Sequence, residues 1–334
     1  MEAPPSPRQQ RSSLLQLPNE LIIYIFSCLP TRVLLPVTSV SHRFHDIILR
    51  ILHHRLLLAA SLKDQRVILE CYHPSAQYFA PQLSCTYLGT DGLSDQIEGE
   101  GSIYQDVEKT GRLGKLAGLY SRFRPVKPSE EGRVYWPHPA GDVPGHPNTS
   151  TQYPTGPLPA ESTDQRSGAA AMKGVELVTQ IVTLDSHELF SQLCTVTSLV
   201  RDAPRRGLFH SFVTIGEAVV RVWRTWLAEQ ARHTSAISAV ETEVNGRLTN
   251  DQDPAKRMLW FDSSQNLGLL LRVRERQWRR PQPILMHRDE EQPVSYFLDY
   301  EEFLIRTTQL LLRFEESQSM DDPSGKAIVF GSFR

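Results

Sequence analysis

Four histidines that lie close together are the first residues whose type and spacing suggest chemistry, because imidazole rings bind metals and transfer protons. They are His42, His45, His53 and His54. His42 and His45 are three residues apart, but Asp46 is their only acidic companion at ligand spacing and no cysteine joins them. We therefore predict that the histidines lie on the polar face of a helix and that the chain binds no metal.

Catalytic nucleophiles form no recognisable arrangement in the sequence. Motifs of the GxSxG, GxxxxGKS/T, HExxH and GxGxxG types do not occur. Asp185, Ser186 and His187 are neighbours in the chain, which does not by itself give three side chains the geometry of a catalytic triad. We predict that the chain is not an enzyme and uses no cofactor.

Tryptophans and arginines interleaved in strand-like segments suit recognition, because indole rings stack on sugars or prolines and guanidinium groups donate hydrogen bonds. The candidate ligand-binding or substrate-binding residues are Arg221, Trp223, Trp226, Trp260, Arg272, Arg274 and Trp278. The alternative, favoured for any single tryptophan, is that the rings fill the core between two sheets.

The basic stretch RVRERQWRR (residues 272–280) would also suit a strand that binds nucleic acid. Glu275 and the acidic run HRDEEQ that follows favour a solvated face instead. The formal net charge of -2 likewise gives no general reason to bind nucleic acid or a membrane surface. We predict neither partner.

The length of 334 residues is enough for two domains. The N-terminus, MEAPPSPRQQRSS, lacks the apolar core of a signal peptide, and Arg50 and Arg55 interrupt the apolar run from Ile47, which excludes a bilayer span. The cysteines are Cys28, Cys71, Cys85 and Cys194, without a CxxC pair. We predict reduced, mostly buried thiols in a cytoplasmic or nuclear protein.

Three short helices are predicted within residues 12–62. Pro18 suits the first turn of the first helix, and Pro30 ends it. A second helix follows at about residues 32–39, and Ser41 is a good N-cap for the third.

From Gln65 onward the pattern predicts strands. They are RVILECYHP, QLSCTYLGT, ELVTQIVTL, SQLCTVTSLV, LFHSFVTI, AVVRVWRTWL and NLGLLLRVRERQW. Residues 216–218, GEA, predict a hairpin turn between LFHSFVTI and AVVRVWRTWL. Alternation in the last strand places Leu269, Leu271 and Val273 on one face and the arginines Arg272, Arg274 and Arg276 on the other.

Residues 300–315 fit two structures. Alternating residues from Val294 onward suggest a strand, whereas Asp299 and Glu302 would form a capping box for a helix whose face includes Leu310 and Phe314. We favour a long bulged strand.

A proline-rich segment interrupts the β region. Residues 125–159 contain nine of the 23 prolines, mixed with small and polar residues. Because such a composition sustains neither helix nor sheet, we predict a disordered insertion at about 125–170 that proteases cut first.

The segment LPNELIIYIFSCLPTRVLLPVTSVSHRF (residues 17–44) resembles the F-box through its order and spacing, LPxELxxxIFxxLPxxxLLxxxxVSxRF. The matching residues are Leu17, Pro18, Glu20, Leu21, Ile25, Phe26, Leu29, Pro30, Leu34, Leu35, Val40, Ser41, Arg43 and Phe44. Phe44 stands where this family often has tryptophan, and it keeps the aromatic bulk.

This resemblance implies a three-helix module that binds the Skp adaptor of cullin–RING ubiquitin ligases. The adaptor-binding residues it implies are Leu17, Pro18, Glu20, Leu21, Ile25, Phe26, Leu29, Leu34, Leu35, Val40 and Phe44. So small a helical unit exposes apolar side chains on more than one side, and a partner would cover them. The alternative is that these residues form the core of a helical cap on the second domain.

The C-terminal part is similar to the conserved region of a fungal group of F-box proteins, through VVRVWRTWLAEQ, LWFDSSQNLGLLLRVRERQW and PILMHRDEE. It also loosely resembles the phloem-lectin β-sandwich. The predicted fold is therefore α+β, with an F-box at 12–62, a mostly antiparallel β-sandwich at 64–320 and the insertion within it. The implied function is a substrate receptor of an SCF-type ligase with an unidentified protein target; the alternative is a glycan-binding module tethered through an F-box.

Overall fold

The computed structural model describes residues 13–75, 81–127, 177–203, 209–243, 254–276 and 293–319. Its helices are α1 (Asn19–Ser27), α2 (Thr31–Val37), α3 (His42–Ala60), α4 (Arg112–Ala117), α5 (Arg224–Glu243) and α6 (Thr307–Ser319). Among the helices of these ranges, none is long and apolar enough to cross a membrane.

The three predicted N-terminal helices are present, and their boundaries follow local chemistry. Pro18 and Pro30 occupy the N-cap positions of α1 and α2, so each proline lies one residue before the first helical turn. The Ser41 hydroxyl accepts a hydrogen bond from the Phe44 amide (3.2 Å) and caps α3.

The strands of the β region are antiparallel neighbours in one sheet. They are β1 (Arg66–Tyr72), β2 (Gln82–Thr90), β3 (Tyr120–Val126), β4 (Val178–Leu184), β5 (Phe190–Asp202), β6 (Phe209–Trp223), β7 (Met258–Trp260), β8 (Leu267–Glu275) and β9 (Val294–Arg306). The order is β6-β5-β1-β2-β3-β9-β8-β7, and β4 pairs with β9. The α+β class with a mostly antiparallel β region is therefore confirmed.

The sheet folds over on itself, so that inner faces of distant strands meet. Cys71 of β1 and Tyr300 of β9 are close enough to influence each other's pKa, although β2 and β3 lie between these strands in the order. A Cβ added at Gly216 of β6 would lie 2.7 Å from Leu267 Cδ1 of β8. Distant strands of this single sheet therefore face each other, and the two-layer sandwich stays a prediction.

Strands β3 and β4 lie end to end along β9. Phe123 of β3 pairs with Phe303, and Val178 of β4 pairs with Tyr300. The predicted insertion falls between these strands, but Pro125 belongs to β3 and pairs with Cys85. Residues 128–176 lie outside the described residues, so the insertion and the predicted domain boundaries stay predictions.

The predicted hairpin at residues 216–218 is wrong. Gly216 lies inside the single long strand β6, where it pairs with Thr197 beside a register shift. Its missing side chain permits the close approach of Leu267 and serves no turn. The strand also ends at Trp223, after which α5 begins, so the end of AVVRVWRTWL is helical.

The strand preference for residues 300–315 is correct only to Arg306. From Thr307 the chain is helix α6, which buries Thr307, Leu310, Leu311 and Phe314. The alternative capping box does not form, because Asp299 and Glu302 lie in β9. The carboxylate of Asp299 instead accepts hydrogen bonds from Arg274 and Thr179.

The described residues belong to one compact unit. Within it, α6 packs against α3 on one side and against β6 on the other. The buried core is correspondingly continuous from Ile22 and Phe26 of α1 to Leu310 of α6. The helical module and the sheet are therefore packed together through α6.

Candidate functional site

The helical module has a small core of its own. The rings of Phe26 and Phe44 meet edge to face with centroids 5.2 Å apart, and both are buried. Leu34 of α2 and Ile22 of α1 are fully buried beside them. These positions therefore hold the three helices together.

A different set of apolar side chains on α1 and α2 faces solvent. Leu21 is 49%, Leu35 46% and Ile25 39% exposed. The exposed residues on or next to these helices also include Ile23, Tyr24, Val33 and Val40. An apolar surface of this kind on a small module is typical of an interaction site.

The predicted adaptor-binding residues divide between surface and core. Exposed are Pro18, Glu20, Leu21, Ile25, Leu35 and Val40; partly buried against the core are Leu17 and Leu29; buried are Phe26, Leu34 and Phe44. The last three belong to the core of the free module, and the predicted adaptor contacts of the whole set stay a prediction. Tyr24 is not part of the F-box pattern, yet it is 71% exposed and lies three residues after Leu21 on the same side of the helix.

Two arginines on α3 hold the ends of α1. Arg43 donates to the Asn19 side chain (2.8 Å) and to the Leu17 carbonyl (2.5 Å), which fixes the start of the helix. Arg55 donates to the carbonyls of Ser27 (3.0 Å) and Leu29 (2.6 Å) beyond its other end. These bonds set the direction of α1 and therefore the position of its exposed apolar residues.

A charged network ties the module to α6. Glu315 accepts hydrogen bonds from the Thr31 amide (3.0 Å) and from the Thr31 hydroxyl (2.6 Å). The same carboxylate pairs with Arg55 at 2.9 Å. Because Thr31 is the first residue of α2, Glu315 supplies the N-terminal cap that Pro30 does not provide.

Two of the candidate substrate-binding residues meet at one aromatic ring on the sheet. Trp223 and Phe190 lie directly opposite each other on β6 and β5, with ring centroids 5.3 Å apart. The Arg221 guanidinium lies 4.9 Å from the centre of the Phe190 ring. Trp223 is 47% exposed, so this cluster presents an aromatic surface with a cation beside it.

Trp226 and Trp260 are in different surroundings. Trp226 belongs to α5 and packs partly buried against the core. Trp260 of β7 packs against Tyr120, with ring centroids 5.5 Å apart, and covers Gly268. Strands β6 and β7 stand at opposite ends of the sheet order, and Trp278 lies outside the described residues.

Arg272 and Arg274 point outward from β8 as the alternation predicts, but each has a carboxylate partner. Arg274 donates to both oxygens of Asp299 (2.7 and 3.0 Å), and these bonds raise the pKa of its guanidinium. Arg272 donates to Glu301 at 2.7 Å, and Arg257 pairs with the same carboxylate. This face of β8 is therefore a ladder of ion pairs with β9.

The histidines of α3 differ in their surroundings. His42 and His54 are exposed and His45 is half-buried, whereas His53 is buried, contrary to the predicted polar face. His53 donates from Nε2 to the Ser94 carbonyl (2.7 Å), and Nδ1 accepts from the Tyr104 hydroxyl (3.2 Å). Over the described ranges, no group of three or more His, Cys, Asp or Glu side chains is arranged to hold a metal ion.

The cysteines are free, with Cys71 and Cys85 buried. Burial raises the pKa of both thiols to about 12, so they are protonated at neutral pH and are poor nucleophiles. Cys28 is exposed on the helical module.

One cleft gathers titratable side chains near the β4–β5 connection, including His73, Asp185, His187 and Glu188. His73 Nδ1 bonds the Ser75 hydroxyl (2.6 Å), and the Glu188 carboxylate accepts from the Asp185 amide (2.9 Å). These are local bonds that shape the loops lining the cleft.

Comparison with known proteins identifies the helical module. Residues 14–59 match the family model described as F-box-like, a range that includes α1, α2 and nearly all of α3. No curated protein and no solved structure matches the chain. Residues 14–59 are thus an F-box-like domain, and the resemblance of the β region to a fungal group and to the phloem-lectin sandwich stays a prediction.

Proposed function

We propose that the chain is the substrate-receptor subunit of an SCF-type cullin–RING ubiquitin ligase. Its F-box-like domain binds the Skp adaptor, and its β region binds a target protein. The observation that carries the proposal is the row of exposed apolar side chains on α1 and α2 within a domain that matches the F-box-like model. The proposal assigns no role to membranes or nucleic acids, and we expect the protein in the cytoplasm, the nucleus or both.

The exposed residues suit an adaptor interface energetically. Burying a leucine or isoleucine contributes about 1.5–3 kcal/mol, so Leu21, Ile25 and Leu35 with their neighbours offset the association cost of about 4–15 kcal/mol. The arginine bonds at both ends of α1 hold this surface in place before binding, which limits the conformational entropy lost on docking.

In this role the chain makes no chemical bond itself. It raises the effective concentration of target lysines near the charged ubiquitin-conjugating enzyme.

Adaptor binding is tested with the double variant Leu21→Asp/Leu35→Asp. Both leucines are exposed in the free protein, so the fold tolerates the change, while each buried carboxylate at the interface is strongly unfavourable. We expect affinity for purified Skp adaptor to fall at least about 100-fold in biolayer interferometry.

The matched control is Leu189→Asp, which alters a leucine that is 67% exposed in the β region. It should bind the adaptor like the unmodified protein. Circular dichroism checks that all variants are folded. Unchanged adaptor affinity of the folded double variant would refute the proposal.

A further inference from the structure

The C-terminal half of β6 alternates between a buried and an exposed row. Ala218 and Val220 pack against the core and Val222 is buried. The exposed row, which we call the β6 outer row, consists of Glu217, Val219, Arg221 and Trp223. It repeats every second residue, so a neighbouring extended chain would meet all four side chains in sequence.

The two charges of the β6 outer row are not matched within the described part of the chain. Arg221 contacts the Phe190 ring, but no described carboxylate pairs with it, whereas Arg272 and Arg274 each have one. Glu217 likewise has no described cation partner. Opposite charges placed directly across a strand pair stabilise pairing, so the row is complementary to a strand with the reverse charges.

The two apolar members are unusually exposed for a strand. Val219 is 63% and Trp223 47% exposed. The Trp223 ring rests on Phe190, so it offers a broad preformed surface that loses little conformational freedom on binding.

Strand β6 also stands at the end of the sheet order. One of its edges pairs with β5 along its whole length, and the other pairs with no strand within the described ranges. An extended peptide can add to such an edge through backbone hydrogen bonds, with specificity from alternate side chains.

We propose that the β6 outer row binds an extended segment of the target protein as an added strand, with an acidic residue opposite Arg221, a basic residue opposite Glu217 and apolar residues opposite Val219 and Trp223. Each pair of strands in the described sheet is antiparallel, and the added strand takes the same direction. The recognised sequence is then apolar–x–acidic–x–apolar–x–basic from its N-terminus. This inference rests on the proposed function, because it names what the β region recognises.

The test uses a short fluorescent threonine peptide, capped at both ends, with valine, glutamate, valine and lysine at alternate positions. A second peptide of identical composition exchanges the glutamate and the lysine. We expect the full-length protein to bind the first peptide about tenfold more tightly than the second in fluorescence anisotropy, because exchange turns two attractive cross-strand pairs into repulsive ones.

The double variant Glu217→Arg/Arg221→Glu should reverse this preference. Arg66→Gln is the matched control, since Arg66 also lies beside an aromatic ring on the sheet, at 5.9 Å from Phe209, but already pairs with Asp202. It should keep the original preference. Reversal cannot result from misfolding, because a misfolded protein would lose binding to both peptides.

Equal affinity for the two peptides, no binding at millimolar peptide, or an unchanged preference in the double variant would overturn the inference. Binding of glycans on an array that is lost in Trp223→Ala, without peptide binding, would also overturn it. Adaptor binding is measured separately on the same protein. Retained adaptor binding with a negative peptide result therefore rejects the peptide site and leaves the adaptor role standing.

Discussion

At the scale of single residues, Trp260 is a side chain that the sequence suggests for ligand recognition but that packs against its neighbours in the structure. Its ring lies over Gly268, and a Cβ at that position would lie 2.7 Å from Trp260 Cε3. We expect Gly268→Ala to lower the free energy of unfolding by about 1–3 kcal/mol, because the ring has to move from its packed position. Urea unfolding of the full chain measures this change.

Gly114→Ala in α4 is the control, and we expect it to raise the free energy of unfolding. Nothing lies within 4 Å of a Cβ at this position, so Gly114→Ala gains helix propensity of about 0.5–1 kcal/mol without a clash. If the two substitutions changed stability equally, the close packing of Trp260 on Gly268 would not be what constrains that glycine.

The helices of the F-box segment can be predicted from the sequence, but which of their apolar side chains are exposed can be predicted only in part. Leu21 and Ile22 are neighbours of similar hydrophobicity, yet the first is exposed and the second fully buried. The apolar face of α1 is wide enough that either Leu21 or Ile22 could face the core, and only packing against α3 selects Ile22. The partners of Arg272 and Arg274 depend on the register of β8 with β9, which local sequence does not contain.

At the scale of elements, β9 passes directly into α6. Alternation holds through Arg306, and a helical period begins at Thr307 without an intervening glycine or proline. The switch is fixed from outside the segment, where the Arg306 amide donates to the Asn266 carbonyl (2.8 Å) and the Thr307 amide donates to the Leu119 carbonyl (2.9 Å). The strand-like alternation is therefore correct for residues up to Arg306, and the helical period is correct from Thr307 onward.

The connection between α6 and the F-box-like domain gives a prediction for Glu315. Removing its charge weakens the cap of α2 and leaves the half-buried Arg55 without its partner. We expect Glu315→Gln to lower the free energy of unfolding by about 1–3 kcal/mol. Chemical denaturation monitored by circular dichroism measures the loss.

Glu316→Gln is the matched control on the same helix. Glu316 pairs with Arg313 one turn away, and its side chain is 40% exposed, so this substitution should cost no more than about 0.5 kcal/mol. Equal effects of the two variants would show that the α6–α2 contact does not hold the module in place.

At the scale of the whole molecule, the F-box-like domain and the sheet share one core. Helix α6 packs against both, and buried His53 of α3 bonds the segment between β2 and β3 through Ser94 and Tyr104. None of these contacts is visible in the sequence, because they join residues up to 284 positions apart. In the proposed substrate receptor, such packing fixes the exposed apolar residues of the F-box-like domain relative to the β6 outer row.

A shared core predicts cooperative unfolding. Opening α3 alone would expose its buried apolar face together with His53, so we expect its amides to exchange with solvent only when the sheet also opens. Hydrogen exchange followed by mass spectrometry measures the opening free energies of slow amides. The values for α3 and for β9 should lie within about 1 kcal/mol of each other.

In Glu315→Gln the opening free energy of α3 should fall below that of β9, because the variant weakens the connection and leaves the sheet intact. If α3 already opened several kcal/mol more easily in the unmodified protein, the F-box-like domain would be an independent unit that does not share its core with the sheet.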